Sequence, residues 1–263
     1  MNSSAQTSLV HAARRYWADL ASRSGRLAAS RALVVALWEF LRDSTPERLR
    51  QRYGDADYDW GYRVNTTSAA VGWRDRLLGV FHSAYQPTEP ALFHAMLDAL
   101  AADSHLDFRA FTFLDLGSGK GRTLLMASDY PFRRILGVEL LPALEGIARD
   151  NLRQYKNDAQ QCFVVESLCA DATTFVFPDE PLVIYLFNPF PETGMLQVVE
   201  NLERSLRANP RPVYVLYHNP VLEHVLTAST ALLKMGGTHQ YSVFMAQGPR
   251  ARGQGLELNG QDG

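Results

Sequence analysis

The chain has 263 residues, 46% of them hydrophobic and 21% charged, with a formal net charge of -2. That length suits one large α/β domain with an N-terminal extension, and the apolar fraction is enough for a sizeable core. The near-neutral charge gives no global reason to expect nucleic acid, leaving only a local basic patch as a route to it. No apolar run approaches the ~18 residues of a membrane span.

Residues up to about 43 predict two helices broken near Ser24-Gly25, with Leu33, Leu37 and Leu41 sharing one face. The arginines Arg14, Arg15, Arg23, Arg26 and Arg31, with Asp19 the sole acid before Glu39, have the composition of an organelle transit segment. Continued apolar spacing to Leu41 favours the other reading, a basic amphipathic helix packed on the domain. A short helix is expected from Pro46, capped by Ser44 or Thr45. Residues 53–87 then lose periodicity and are rich in Tyr, Trp, Gly and Asp, among them Tyr53, Asp55, Asp57, Tyr58, Asp59, Trp60 and Tyr62. An ordered loop of that length is expected to be functional, as a lid, or else simply packed.

A regular alternation follows. A helix is expected over about 89–102 with Thr88 as N-cap. Strands are expected at 111–116, Arg134–Val138, Cys162–Glu166, Leu182–Phe187 and Val213–Tyr217. Helices between and after them are expected at about 121–129, 142–155, to about 207, and 221–232. A last strand near 240–246 is expected to be antiparallel. Strands alternating with helices of this length predict a doubly wound, mostly parallel α/β sheet, and their continuous apolar runs suit a sheet covered on both faces. The expected division is residues 1–84 as helical cap and lid, 85–247 as the α/β domain, and 248–263 as a flexible tail. Cys162 and Cys169 flank one strand in apolar surroundings and read as buried free thiols, which suits a reducing, cytoplasmic compartment.

Ligands of such sheets sit outside the C-terminal ends of the strands, so the strand ends carry the chemistry. Asp115 ends the first strand and leads into Gly117-Ser118-Gly119-Lys120-Gly121, whose glycines allow positive φ and close approach of a flat ligand. Glu139 ends the second strand, either to accept both hydroxyls of a ribose or to face the dipole of the helix starting at Pro142. Asp171, after the third strand, either accepts from an exocyclic amine such as that of adenine or closes an Asx-turn. Asn188-Pro189-Phe190 ends the fourth strand. His218 ends the fifth, as a base or as a hydrogen-bonded structural histidine. Lys120 reads as solvated or paired with a carboxylate. His82, His94, His105, His224 and His239 lack metal-ligand spacing.

The glycine spacing is G-x-G-x-G, not the G-x-G-x-x-G of dinucleotide oxidoreductases, and no P-loop is present. Here the chain resembles the class I S-adenosylmethionine-dependent methyltransferases over about residues 85–246. Asp115-Leu116-Gly117-Ser118-Gly119-Lys120-Gly121 is similar to their first motif, Gly137-Val138-Glu139 to the second, Ala170-Asp171-Ala172 to the third, and Asn188-Pro189-Phe190 to the fourth. The resemblance implies S-adenosyl-L-methionine as cofactor, held by Asp115, Gly117, Ser118, Gly119, Gly121, Glu139, Asp171, Ala172 and Asn188. Asn188, Pro189 and Phe190 are then the catalytic set, where two carbonyls aim an amine and an aromatic ring flanks it. The match there is partial, since one proline precedes the aromatic where related tetrads have two.

Tyr85-Gln86-Pro87-Thr88 resembles a segment of some non-SET-domain protein lysine methyltransferases and related bacterial enzymes, which implies that Tyr85 and Thr88 close over the methionine end of the cofactor. N-methylation of an amine such as a protein lysine is therefore expected, with nucleic acid not expected as acceptor. A small-molecule methyltransferase and a non-catalytic S-adenosylmethionine-binding module are the alternatives.

Overall fold

A computed structural model describes residues 13–14, 17–18, 20–22, 25–43, 56–66 and 87–246. Its centre is one seven-stranded sheet. The strands are β1 (Thr112–Leu116), β2 (Arg134–Glu139), β3 (Val165–Cys169), β4 (Leu182–Phe187), β5 (Val213–His218), β6 (Leu232–Gly237) and β7 (Tyr241–Ala246). Their spatial order is β3-β2-β1-β4-β5-β7-β6. The first five are parallel, and β7 runs antiparallel to both β5 and β6. This is the doubly wound, Rossmann-like order with its switch point between β1 and β4, and ligands bind at the carboxyl edge there. The fold class expected from the alternating pattern is the one observed.

The helices are α1 (Arg26–Asp43), α2 (Ala56–Tyr62), α3 (Pro90–Ser104), α4 (Arg122–Ala127), α5 (Pro142–Gln154), α6 (Glu192–Ala208) and α7 (Glu223–Thr227). Pro90 and Pro142 stand in the first turns of α3 and α5, where a missing N–H costs nothing. Gly25, with φ +85, separates α1 from the helical residues before it. Side chains alternate across the strands. Leu114, Leu116, Ile184, Leu186 and Val215 face Met195, Val198 and Leu202 of α6. Phe113, Val183, Tyr185 and Leu216 face Phe93, Met96 and Leu97 of α3 and Leu124 of α4. Each large apolar side chain buried this way contributes roughly 1.5–3 kcal/mol, so both faces of the sheet hold the strand ends in fixed register.

Several elements depart from expectation. β3 begins three residues later than the apolar run at Cys162, because its register is set by pairing Ile135 to Val165 and Glu139 to Cys169. As an edge strand it is approached by residues left exposed, Phe163 at 77% among them, so hydrophobicity did not mark its start. Cys162 is buried but Cys169 is exposed, against the expectation of two buried thiols. The helix expected over 221–232 is only α7, and the chain then forms β6 in an antiparallel hairpin with β7. Gly237 permits that hairpin, since a Cβ there would stand 2.3 Å from the Tyr241 carbonyl oxygen. The aperiodic segment expected as a loop contains α2. Thr88 does not cap α3: Glu89 holds the N-cap position, without a side-chain bond. The helix expected at Pro46, Tyr85 and the tail lie outside the described residues.

Candidate active site

β1 delivers Asp115 onto the face covered by α4, where its carboxylate accepts the hydroxyl hydrogen of Thr123. Burial raises the Asp115 pKa to about 7, opposed by the Thr123 bond and reinforced by Glu139. The loop that follows has φ +86 at Gly117, +55 at Gly119 and +80 at Gly121. Gly117 is required by contact as well: a Cβ there would stand 2.4 Å from Pro189 Cβ. The glycine loop and the turn after β4 are thus packed directly against each other across the switch point.

Glu139, at the end of β2, is buried and turns back under this loop. Its Oε2 accepts the Gly119 N–H at 2.8 Å and its Oε1 the Leu141 N–H at 2.8 Å. Burial raises its pKa, and these amides pull it down. Ser118 turns inward: its amide donates to Val138, and its Oγ is buried without a partner among the described residues, where a Cβ on Gly137 would stand 2.7 Å away. Asp171 closes an Asx-turn, with Oδ1 accepting from the Thr173 amide at 2.9 Å and the Thr173 hydroxyl at 2.6 Å. Its other oxygen has no partner among the described residues. Ala172 beside it is buried in the core.

Asn188 adopts φ +44, a left-handed conformation that Asn tolerates better than most residues. Its Oδ1 accepts from the Tyr217 hydroxyl at 2.8 Å, and that hydroxyl accepts the Leu222 amide at 3.1 Å. Phe190 is half-buried and packs on the core beside Gly194 of α6. His218 stacks on Phe187, with ring centroids 4.0 Å apart and planes 21° apart. Its Nδ1 lies 2.8 Å from the Tyr185 hydroxyl, which lies 2.9 Å from Thr88 Oγ1. Burial lowers the His218 pKa to about 4.

Sequence reasoning missed the second layer of the site. Lys120 is fully buried, not solvated, and donates to Asn65 Oδ1 at 2.9 Å; desolvation lowers its pKa to about 8. Asn151 of α5 ties Asn65 to the loop, donating to the carbonyls of Asn65 and Lys120 and accepting the Asn65 amide. Arg122 is buried at the start of α4. It donates to Thr66 Oγ1 at 2.6 Å, pairs with Asp59 at 3.5 Å, and sits 4.9 Å from the Tyr58 ring centroid. Asp59 also accepts from the Thr66 amide and hydroxyl. The signal for this joint was present as two cations, Lys120 in the glycine loop and Arg122 directly after it, downstream of an acid-rich segment.

No family model and no curated protein matches this chain. Among solved structures it is similar to a ribosomal protein L11 methylase from Lactobacillus delbrueckii subsp. bulgaricus (15% identity, 59% of this chain and 79% of that one, TM-score 0.40). It is also similar to a predicted N6-adenine-specific DNA methylase from Listeria monocytogenes (17% identity, 62% and 52%, TM-score 0.44). A third is an RNA methyltransferase from Salinibacter ruber in complex with S-adenosyl-L-homocysteine (20% identity, 65% and 99%, TM-score 0.36). Among the described residues, no helix is long and apolar enough to cross a membrane.

Proposed function

We propose that this chain is an S-adenosylmethionine-dependent methyltransferase acting on the nitrogen of an amine such as a protein lysine. The observation that carries the reading is the contact of Gly117 with Pro189, which joins the glycine loop to the Asn188-Pro189-Phe190 turn at the sheet's switch point. The residues present suit the cofactor. Glu139 offers a carboxylate whose oxygens each keep acceptor capacity for ribose hydroxyls. Asp171 keeps one oxygen for an exocyclic amine. The one cation of the loop, Lys120, bonds to Asn65, so it is held away from a positively charged ligand. Asp115, Gly117, Ser118, Gly119, Gly121 and Ala172 shape the cradle through backbone and packing.

When bound, the cofactor supplies an electrophilic methyl group on a sulfonium. The chain's part is positioning and exclusion of water. Asn188 Oδ1 takes the Tyr217 hydroxyl on one lone pair and retains a second for an acceptor N–H. The Pro189 carbonyl offers another acceptor. Phe190 supplies an aromatic edge to the same turn. The acidic aromatic segment contributes less than its composition promises, because Asp59 is engaged by Arg122 and Thr66. The amine reading therefore stands on the turn after β4.

Transfer of a tritiated methyl group from S-adenosylmethionine into cell lysate, fractionated into protein, nucleic acid and small molecules, tests the acceptor. Label released from the protein fraction as methyl-lysine is expected. Label in the small-molecule or nucleic-acid fraction would replace the lysine reading, and label in none would leave a cofactor-binding module.

A further inference from the structure

We propose that His218 Nε2 accepts a hydrogen bond from the N–H of the methyl acceptor, and that Tyr185 and Thr88 hold the imidazole in the tautomer this requires; the role rests on the methyltransferase reading. β4 and β5 are parallel with Phe187 opposite His218, so the imidazole ends one residue before Asn188 on the neighbouring strand. The 4.0 Å stack on Phe187 fixes its plane. Nδ1 is fixed by the Tyr185 hydroxyl at 2.8 Å, and that hydroxyl by Thr88 Oγ1 at 2.9 Å. All three residues are buried. Nε2 has no partner among the described residues and is not fully buried, so it keeps accessible surface at the carboxyl end of β5.

The Tyr185 hydroxyl has one hydrogen between two neighbours. If it points to His218, the imidazole carries its hydrogen on Nε2 and presents a donor. If it points to Thr88, His218 donates from Nδ1 to Tyr185 and presents a bare Nε2. Only the second arrangement complements an N–H acceptor, and it presents an acceptor as do Asn188 Oδ1 and the Pro189 carbonyl, one and two residues beyond Phe187. Burial keeps the ring neutral near pH 7, so it adds no charge beside a cationic methyl donor. In the reaction, the acceptor nitrogen's lone pair forms the bond to the methyl carbon. The carbon–sulfur bond breaks with its electron pair left on sulfur, and the extra proton on nitrogen leaves to water. His218 orients the nucleophile and does not have to take the proton.

Nitrogen NMR of the full chain with 15N-labelled histidine reads the tautomer directly, with His218→Gln assigning the signal. The expected spectrum has a protonated Nδ1 and a bare Nε2 at His218, and Tyr185→Phe moves the hydrogen to Nε2. A hydrogen on Nε2 in the unmodified protein would overturn the proposal. In methyl transfer, Tyr185→Phe is expected to lower kcat about tenfold, the equivalent of one neutral hydrogen bond, with affinity for S-adenosylhomocysteine unchanged. An unchanged kcat would also overturn it. No transfer by the unmodified protein would fell the methyltransferase reading and this role together. An Nε2–H tautomer in an active enzyme would fell this role alone.

Discussion

Gly117 and Pro189 occupy each other's space: no side chain fits on residue 117 while the turn after β4 stays where it is. One residue of the loop that would hold the cofactor thus sets the position of the turn that would hold the acceptor. Gly117→Ala combines that clash with a φ of +86 that alanine resists. It is expected to destabilise the fold by about 1–3 kcal/mol and to weaken S-adenosylhomocysteine binding. Urea denaturation and ligand-induced thermal shift measure the two effects, and a variant of unchanged stability would refute the contact.

Arg122 and Asp59 make a different prediction, because removing one partner of a buried ion pair leaves the other charge desolvated. Asp59→Ala is expected to destabilise the protein by about 3 kcal/mol in urea denaturation. If Asp59 instead served a cationic acceptor, the variant would keep its stability and lose acceptor affinity.

Two of the buried groups, Asp115 and His218, contribute to the pH dependence of stability with opposite signs. The Asp115 pKa is raised from 3.8 to about 7, so its contribution is fully present below about pH 4 and is lost as pH rises through 7. The His218 pKa is lowered from 6.5 to about 4, so its contribution is present above pH 6.5 and is lost as pH falls through 4. Asp115→Asn should therefore reduce the rise in Tm on acidification from pH 8 to 5. His218→Gln should remove a fall between pH 6.5 and 4. Thermal melts across pH 4–8 test both, and parallel curves for variant and parent would contradict the assignments.

Asn188 sits in a left-handed conformation, so glycine is the substitution that removes its carboxamide while sparing the backbone. Asn188→Gly is expected to lower kcat by about ten- to a hundredfold, as expected for a misplaced nucleophile, with cofactor affinity retained. Equal losses in kcat and cofactor affinity would assign the side chain to binding instead.

The parallel core was legible because both faces of the sheet are covered, so β1, β2, β4 and β5 appear as short apolar runs ending in polar residues. β3 and β6 were misplaced or missed for one reason: at the sheet's edges, ladder pairing sets register and the outer side chains remain exposed. Asp115, Glu139 and Asn188 announced themselves by position at strand ends. Lys120 and Arg122 did not, because their partners Asn65, Thr66 and Asp59 lie far upstream in a segment without periodicity. Thr88 was misread as a cap, since nothing in its neighbourhood names Tyr185, 97 residues away, as its partner.

Calorimetric titration of the unmodified chain and of Glu139→Ala with S-adenosylhomocysteine, with NAD as the control ligand, decides whether the glycine loop and Glu139 hold the nucleoside. The parent chain is expected to bind the nucleoside and not NAD, with a loss in Glu139→Ala of about 1.5–3 kcal/mol, the value of hydrogen bonds to a carboxylate. Absence of binding to the parent chain, or equal affinity in the variant, would contradict that assignment.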